Sequence, residues 1–289
     1  MQNRLGIISS SVCLLLTILV GVYIQPAEAS KGKVKLVYVE WSCATASANV
    51  MKAVLQEKMG YKVKLIPVAA AAMWQAVATD AADGFTTAWL PTTHATYLDG
   101  VKDQVEDLGP NLSGTRIGLV VPDYVTIDTI AQMNDTKDKF RRRIIGIDPG
   151  AGIMMKTEKA IDDYQLKRFR LVEGSGATMT AALKDAIRNK EWIAVTSWTP
   201  HWMFGRWQLK YLDDPMNIYG GAENINTIVR KGLKADMPEV YAVLDNFHWS
   251  PADLQQVMVL NQQPNSDPYD NAVLWVNEHP EIVQAWLAK

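Results

Sequence analysis

Two short stretches of this chain each place a tryptophan just before a proline at the end of an apolar run. Thr87 to His94 reads Thr-Ala-Trp-Leu-Pro-Thr-Thr-His, and Ser197 to Trp202 reads Ser-Trp-Thr-Pro-His-Trp. Because proline cannot donate to a sheet ladder, each strand should end there with its tryptophan at the tip. The faces of Trp89 and Trp198 are therefore predicted to attract a cation beyond the edge of the sheet.

A third stretch has the features of an anion site. Asp148 to Met155 contains Gly150 and Gly152 and lies between a strand-like run and a helical pattern. The unpaired amides of a first helical turn can hold an anion without a charged side chain. The motif is neither a P-loop nor a Rossmann fingerprint. A small carboxylate is the simplest ligand for such a site. Both glycines would also suit a tight strand-to-helix turn that binds no ligand.

Trp41 follows the first strand-like run and is predicted to sit at a strand end, facing the same cleft as Trp89 and Trp198. Indole faces suit a cation that cannot donate a hydrogen bond, such as a quaternary ammonium, and three rings would contribute about 2 to 6 kcal/mol. A cation at one end and a carboxylate at the other describe a betaine. A sugar would also stack on tryptophan, but these loops offer few planar polar side chains for its hydroxyls.

The segments before the two tips repeat, which predicts an α/β fold with a ligand cleft between two domains joined by two crossovers. The first copy has strands Val34 to Val39, Lys62 to Pro67 and Phe85 to Trp89, with helices Thr45 to Met59 and Ala72 to Asp80. The second copy has strands Ile144 to Ile147, Arg168 to Val172 and Trp192 to Trp198, with a helix ending at Tyr164 and another at Thr178 to Asn189.

The domain boundaries are predicted at two chain-turning points. Pro122 ends a strand at Arg116 to Val121, and Tyr211 to Pro215 has turn chemistry. The prediction is a signal segment at 1–29, domain I at 30–121 and 212–289, and domain II at 122–211. Ala95 to Gly114 is expected to be rich in turns, and Thr126 to Met133 to be a short helix. A strand at Ile225 to Val229 and helices that begin at Pro238, Pro251 and Pro280 should complete domain I.

Composition limits the function classes. The 289 residues are 48% hydrophobic and carry a formal net charge of −2, so nothing indicates nucleic-acid binding. Arg4, the apolar stretch Leu5 to Ile24 and Ala27-Glu28-Ala29 are typical of a secretory signal cleaved near Ala29. A periplasmic protein is expected. Alternatively, the apolar stretch stays as an anchor on the outer face of the cytoplasmic membrane.

Catalysis and metal binding are not favoured. After export Cys43 is the only cysteine, so no intramolecular disulfide is possible, and no general base is recognisable beside it for a hydrolase. The four histidines lie far apart without ligand spacing: His94, His201, His248 and His279. We therefore predict no enzyme activity, no metal and no cofactor.

Four motifs of the mature chain resemble the glycine betaine/proline betaine substrate-binding proteins of ABC importers. They are Asp148-Pro-Gly-Ala-Gly-Ile-Met154, Trp198-Thr-Pro-His-Trp-Met-Phe204, Ala88-Trp-Leu-Pro-Thr-Thr-His94 and Gly118-Leu-Val-Val-Pro122. The resemblance implies a two-domain, hinge-closing fold like the type II periplasmic binding proteins. By position it assigns a trimethylammonium cage to Trp41, Trp89 and Trp198. It assigns the carboxylate contacts to the amides of Gly152 and Ile153, with His94 as side-chain donor.

The resemblance also implies partners. These are a betaine ligand and the membrane permease of an importer with its cytoplasmic ATPase, for osmoprotectant uptake by a monomeric binding protein. Glycine betaine and proline betaine are the expected ligands, with choline, carnitine and dimethylsulfoniopropionate as alternatives. Glu40, Ser42 and Cys43 flank Trp41 and are expected to tune which betaine fits.

Overall fold

The computed structural model describes residues 31–288. The predicted signal segment, 1–29, lies outside this range. Within it, no helix combines the length and apolar character needed to cross a bilayer.

Nine strands and eleven α-helices are present in the described range. Strands β1 to β9 are Lys33–Tyr38, Lys62–Pro67, Gly84–Leu90, Val105–Pro122, Arg143–Ile145, Arg170–Val172, Val195–Thr199, Leu209–Tyr211 and Glu223–Arg230. Helices α1 to α11 are Ser42–Ala53, Ala70–Ala78, Ala95–Val101, Gly152–Asp163, Gly176–Asn189, Met203–Arg206, Leu233–Asp236, Pro238–Asn246, Pro251–Leu260, Pro268–Glu278 and Pro280–Leu287. A π-helical turn, Val54–Lys58, continues α1.

The predicted repeat of two βαβαβ units is confirmed by the sheet. In the first unit β1 pairs in parallel with β2 and β3, and in the second β5 pairs in parallel with β6 and β7. Each unit then gains one antiparallel neighbour, β9 beside β3 and β4 beside β7. Because β4 and β9 also pair with each other, the two units form one continuous sheet.

Strand β4 carries the chain from one unit to the other. Its residues up to Thr115 pair with β9, and from Arg116 onward they pair with β7 and β8. The expected run of turns from Ala95 to Gly114 is therefore wrong, since it forms α3 and the first half of β4. Asp107 and Gly109 lie at a shift of register in the sheet, where the Asp107 side chain accepts from the Gly109 amide.

The second crossover follows Tyr219. The Tyr219 hydroxyl bonds to Thr157 on α4, and Asp214 accepts from Tyr164, so this segment packs on the second unit. Glu223 already pairs with Thr115. The first crossover thus lies six residues before the predicted boundary, and the second lies nine residues after it. We propose domain I as 31–115 and 221–288, and domain II as 116–220.

Two local predictions differ from the structure. Thr126 to Met133 is not an α-helix: only a 3₁₀ turn, Ala131–Asn134, forms there, because the Gln132 side chain takes the amides of Asp128 and Thr129. Helix α10 was not predicted, although Asp267 caps its first amides. Trp74 is fully buried and packs edge-on against Phe85 at 5.0 Å.

Candidate functional site

A cavity lies between the two domains at the carboxyl ends of the parallel strands. It has an empty volume of about 290 Å³, part of it open to solvent. The structure brings all six sequence-predicted site residues to its wall, together with five others. The wall consists of Trp41, Cys43, Trp89, Thr93 and His94 from domain I, and Ile117, Ile147, Ala151, Gly152, Ile153 and Trp198 from domain II. Among these lining residues there is no Asp, Glu, Lys or Arg.

Two of the tryptophans are delivered by equivalent strands. Trp89 is the last residue but one of β3 and Trp198 the last but one of β7, and each strand ends before its proline, as predicted. Both following bonds, Leu90–Pro91 and Thr199–Pro200, are cis.

Trp41 reaches the cavity in a different way. It is predicted to lie at a strand end, but β1 stops at Tyr38 and Trp41 is the N-cap residue of α1. Its indole Nε1 donates to Asp148 Oδ1 of domain II at 2.8 Å. The Tyr97 hydroxyl similarly donates to the Gly150 carbonyl. These two bonds join the domains beside the cavity, so the structure is in a closed arrangement.

The start of α4 supplies unpaired donors. The amides of Gly152 and Ile153 donate to no acceptor within residues 31–288. A side chain at Gly152 would overlap the main chain and methyl group of Thr93 from the opposite domain. Glycine at this position therefore allows the helix start to approach the wall of domain I, and its positive dipole end faces the cavity.

His94 is a neutral hydrogen-bond donor. Its Nδ1 accepts from the Trp89 amide at 3.1 Å, which places the ring proton on Nε2, and Nε2 has no partner in the described part of the chain. The residue is 1% exposed, and this burial lowers the pKa of the ring to about 3. At neutral pH the ring can therefore donate to an anion without carrying a charge.

A buried carboxylate holds the loop between Trp89 and His94. Glu223 is 1% exposed and accepts from the amides of Thr92 and Thr93 and from the Thr93 hydroxyl. Sequence reasoning missed Glu223 because it comes 130 positions after Thr93, on the second crossover. No local pattern pairs these two positions, and only the sheet register brings them together.

Residues 32–278 match the family described as the substrate-binding domain of the ABC-type glycine betaine transport system. The chain belongs to this family. Its members bind their substrates outside the cytoplasm for import, in agreement with the resemblance noted from sequence.

Two solved structures support the fold assignment. The ProX glycine betaine, L-proline-binding protein from Borrelia burgdorferi is 41% identical, with a TM-score of 0.86 over 89% of this chain and 97% of that one. Closed lactococcal OpuAC complexed with glycine betaine is 42% identical, with a TM-score of 0.84 over 89% of this chain and 100% of that one. The predicted type II binding-protein fold is thus confirmed.

One curated relative aligns over a shorter stretch. The glycine betaine/carnitine transport binding protein GbuC of Listeria monocytogenes is 49% identical over 154 residues, which is 53% of this chain and 51% of the relative. The match therefore spans about half the length of that relative.

Cys43 lines the cavity of this family member as a neutral thiol. Burial raises its pKa to about 12, although the Ala44 amide and the Trp198 indole oppose the rise. A thiol that stays protonated is a poor nucleophile. The ring of His94, a candidate base in the same cavity, is held by the Trp89 amide.

The two buried histidines predict an acid-sensitive fold. Burial lowers the pKa of His94 and of His201 to about 3, from an ordinary value of 6.5. Between these pH values the unfolded chain binds more protons than the folded one. The free energy of unfolding should therefore be highest above about pH 6.5 and decrease as the pH falls, by up to about 1.4 kcal/mol per pH unit for each ring.

The variant His94→Gln isolates one ring, because its amide oxygen can still accept from the Trp89 amide. Urea unfolding at several pH values from 7 to about 4.5 should show a shallower dependence, by up to one proton. The same slope as in the wild type would show that the folded protein already carries a proton on His94.

Proposed function

We propose that this protein captures glycine betaine outside the cytoplasm and delivers it to the membrane permease of an ABC importer, which a cytoplasmic ATPase drives. One observation carries the proposal. A single interdomain cavity combines three tryptophans with unpaired amide and imidazole donors, and none of the described residues that line it is ionised.

The tryptophans suit the cationic end of the ligand. A trimethylammonium group has no hydrogen to donate, so it gains nothing from a hydrogen-bond acceptor and is attracted to the faces of aromatic rings. Trp41, Trp89 and Trp198 are each at least 95% buried, so a cation among them is removed from water and the attraction is weakly screened.

The carboxylate end suits the unpaired donors of the same cavity. The amides of Gly152 and Ile153 and the Nε2 proton of His94 are three donors without partners in the described chain, and the α4 dipole adds a positive potential. Because His94 is neutral, none of the three donor groups carries a charge that a counter-ion would have to balance. Hydrogen bonds to a carboxylate are stronger than those to a neutral acceptor.

The absence of charged residues among the lining side chains favours a ligand of zero net charge. Choline has the same cationic group but no carboxylate, so it would leave the donors at α4 and His94 unpaired in a buried site. An unsatisfied buried donor costs about 1 to 3 kcal/mol. Proline betaine has the charge pattern of glycine betaine and is accommodated by the same argument.

Capture requires no chemical step. We infer that the two domains close over the ligand about the crossovers near Thr115 and Tyr219, and that the bonds of Trp41 to Asp148 and of Tyr97 to Gly150 hold the closed form. The closed form then docks on the permease as a monomer. Export to the periplasm, or anchoring on the outer face of the cytoplasmic membrane, places it there.

Calorimetric titration with three matched solutes tests the proposal. Glycine betaine should bind with a dissociation constant in the micromolar range or below, about −8 kcal/mol. Choline, which lacks the carboxylate, and tert-butylacetate, which lacks the cation, should each bind at least about tenfold more weakly. Equal binding of choline and glycine betaine would contradict the site, and the appearance of a product in the NMR spectrum would contradict a pure binding role.

Substitution of the tryptophans tests the cage. Trp89→Ala and Trp198→Ala should each weaken glycine betaine binding by at least about tenfold, because each removes an aromatic face and opens the cavity to water. Trp192→Ala is the matched control, since Trp192 packs on Phe140 in domain II and does not line the cavity. Similar losses in all three variants, measured by calorimetry, would mean that the cage is assigned wrongly.

Gly152→Ala tests the close approach of the domains. The added methyl group would overlap Thr93, and overpacking of this kind costs about 1 to 3 kcal/mol, so we expect affinity to fall by about tenfold. Gly100→Ala on α3, where a Cβ meets open space, is the control and should bind like the wild type. Wild-type affinity in Gly152→Ala would show that closure does not depend on this contact.

A further inference from the structure

A second opening between the domains adjoins the cavity at Trp198, the one residue that lines both. We call it the interdomain groove and define it by Ser42 and Asn261 of domain I and by Gly176, Lys184, His201 and Arg206 of domain II. Its empty volume is about 1110 Å³, much of it open to solvent. The site described above makes no use of these residues.

Two helices begin at opposite walls of the groove. Helix α1 starts at Ser42 in domain I, and α5 starts at Gly176 in domain II. The amides of Ser42, Gly176 and Ala177 donate to no acceptor in the described chain, because the Ser175 cap takes only the Thr178 amide. The groove is therefore flanked by the positive ends of two helix dipoles.

A buried side-chain donor independently points to an anion. His201 is 2% exposed, and its Nδ1 accepts from the Met203 amide at 3.2 Å, so the ring proton is on Nε2. Nε2 has no partner among residues 31–288. The Nδ2 of Asn261 also has no acceptor in the described chain. The Oδ1 of the same side chain accepts from Asn271. The Ser42 hydroxyl on the groove wall is also buried without a partner in the described chain, so it can donate to an anion as well.

The internal repeat gives His201 a counterpart. His94 follows the first Trp-x-Pro tip and shares the cavity wall with the start of α4, from the other domain. His201 follows the second tip and shares the groove wall with the start of α1, again from the other domain. Each ring has its Nδ1 fixed by a backbone amide. A histidine that follows a Trp-x-Pro tip and a helix start from the other domain thus occur together at both openings.

The net charge of the ionised side chains that line the groove also favours an anion. Lys184 and Arg206 line the groove against a single acid, the exposed Glu40, which leaves one positive charge in excess.

We propose that the interdomain groove binds a small oxyanion, a carboxylate or inorganic phosphate, between the starts of α1 and α5 with His201 as a donor. An anion held by both domains bridges them and stabilises the closed arrangement. Its binding should therefore strengthen ligand capture in the cavity, and the ligand should strengthen anion binding by the same factor.

Direct binding is tested without any betaine. Amide NMR spectra of the full protein are recorded during titration with sodium phosphate, and separately with sodium acetate, each against sodium chloride at equal ionic strength. The Ser42, Gly176 and Ala177 signals should shift and saturate, and the more effective anion identifies the source. No shift with either oxyanion, or the same shift with chloride, would overturn the proposal.

Two variants and a control locate the site. Lys184→Met and Arg206→Met should weaken oxyanion binding by at least about threefold each, because each removes one positive charge from the groove wall. Arg188 lies on the same helix as Lys184 but outside the groove, and it pairs with Asp185. Arg188→Met should therefore leave the titration unchanged. If all three variants weaken oxyanion binding equally, the effect comes from the net charge of the protein, and the groove is not a specific anion site.

Coupling between the sites is the third readout, and it rests on the proposed betaine function. At constant ionic strength the effective oxyanion should lower the dissociation constant for glycine betaine by about fivefold or more in the wild type, and less in Lys184→Met. Saturable oxyanion shifts with no betaine binding would count against the proposed function alone. Betaine binding that is independent of a bound oxyanion would overturn the bridging role.

Discussion

The proposed ligand carries opposite charges at its two ends, and both charges must be removed from water when it binds. This is the constraint on which the structure depends. Charged groups are costly to bury unless partners meet them at once. The cavity offers aromatic faces for the cation and preorganised N–H groups for the carboxylate, and none of its described lining residues is ionised. A site built from fixed dipoles and ring faces has no charge of its own to desolvate when the domains close.

Such a site works only if its parts are held in place before the ligand arrives. Glu223 fixes the loop that leads to His94, and the Trp89 amide fixes the tautomer of His94. When the domains close, the bond from Trp41 to Asp148 orients the third ring from the opposite domain. Each of these constraints uses a backbone group or a buried side chain, so the binding atoms are positioned by the same contacts that stabilise the two domains.

The internal repeat explains why the interface has two similar openings. Both units end in a tryptophan tip, and both begin a helix facing the other domain. The two copies differ in the residues that surround these helix starts. At α4 the glycine leaves the helix start open to the cavity. At α1 the buried Cys43 thiol lies against the Ala44 amide, and Ser42 and Thr45 line the groove. The cavity is small and apolar, and the groove is wide and polar.

The sequence by itself determined the repeat, the strand ends at Trp89 and Trp198, and the helix start at Gly152. These features follow from proline, glycine and hydrophobic periodicity within short windows, where local geometry decides the structure. It also singled out six residues that the fold brings to one wall. Tertiary structure alone decided the length of β4, the crossovers at Thr115 and Tyr219, and the contact of Glu223 with Thr93, because pairing between distant segments overrides local turn signals such as Gly109. The interdomain groove likewise exists only in the folded chain, since its donors come from four separate segments and face one another through the packing of the domains.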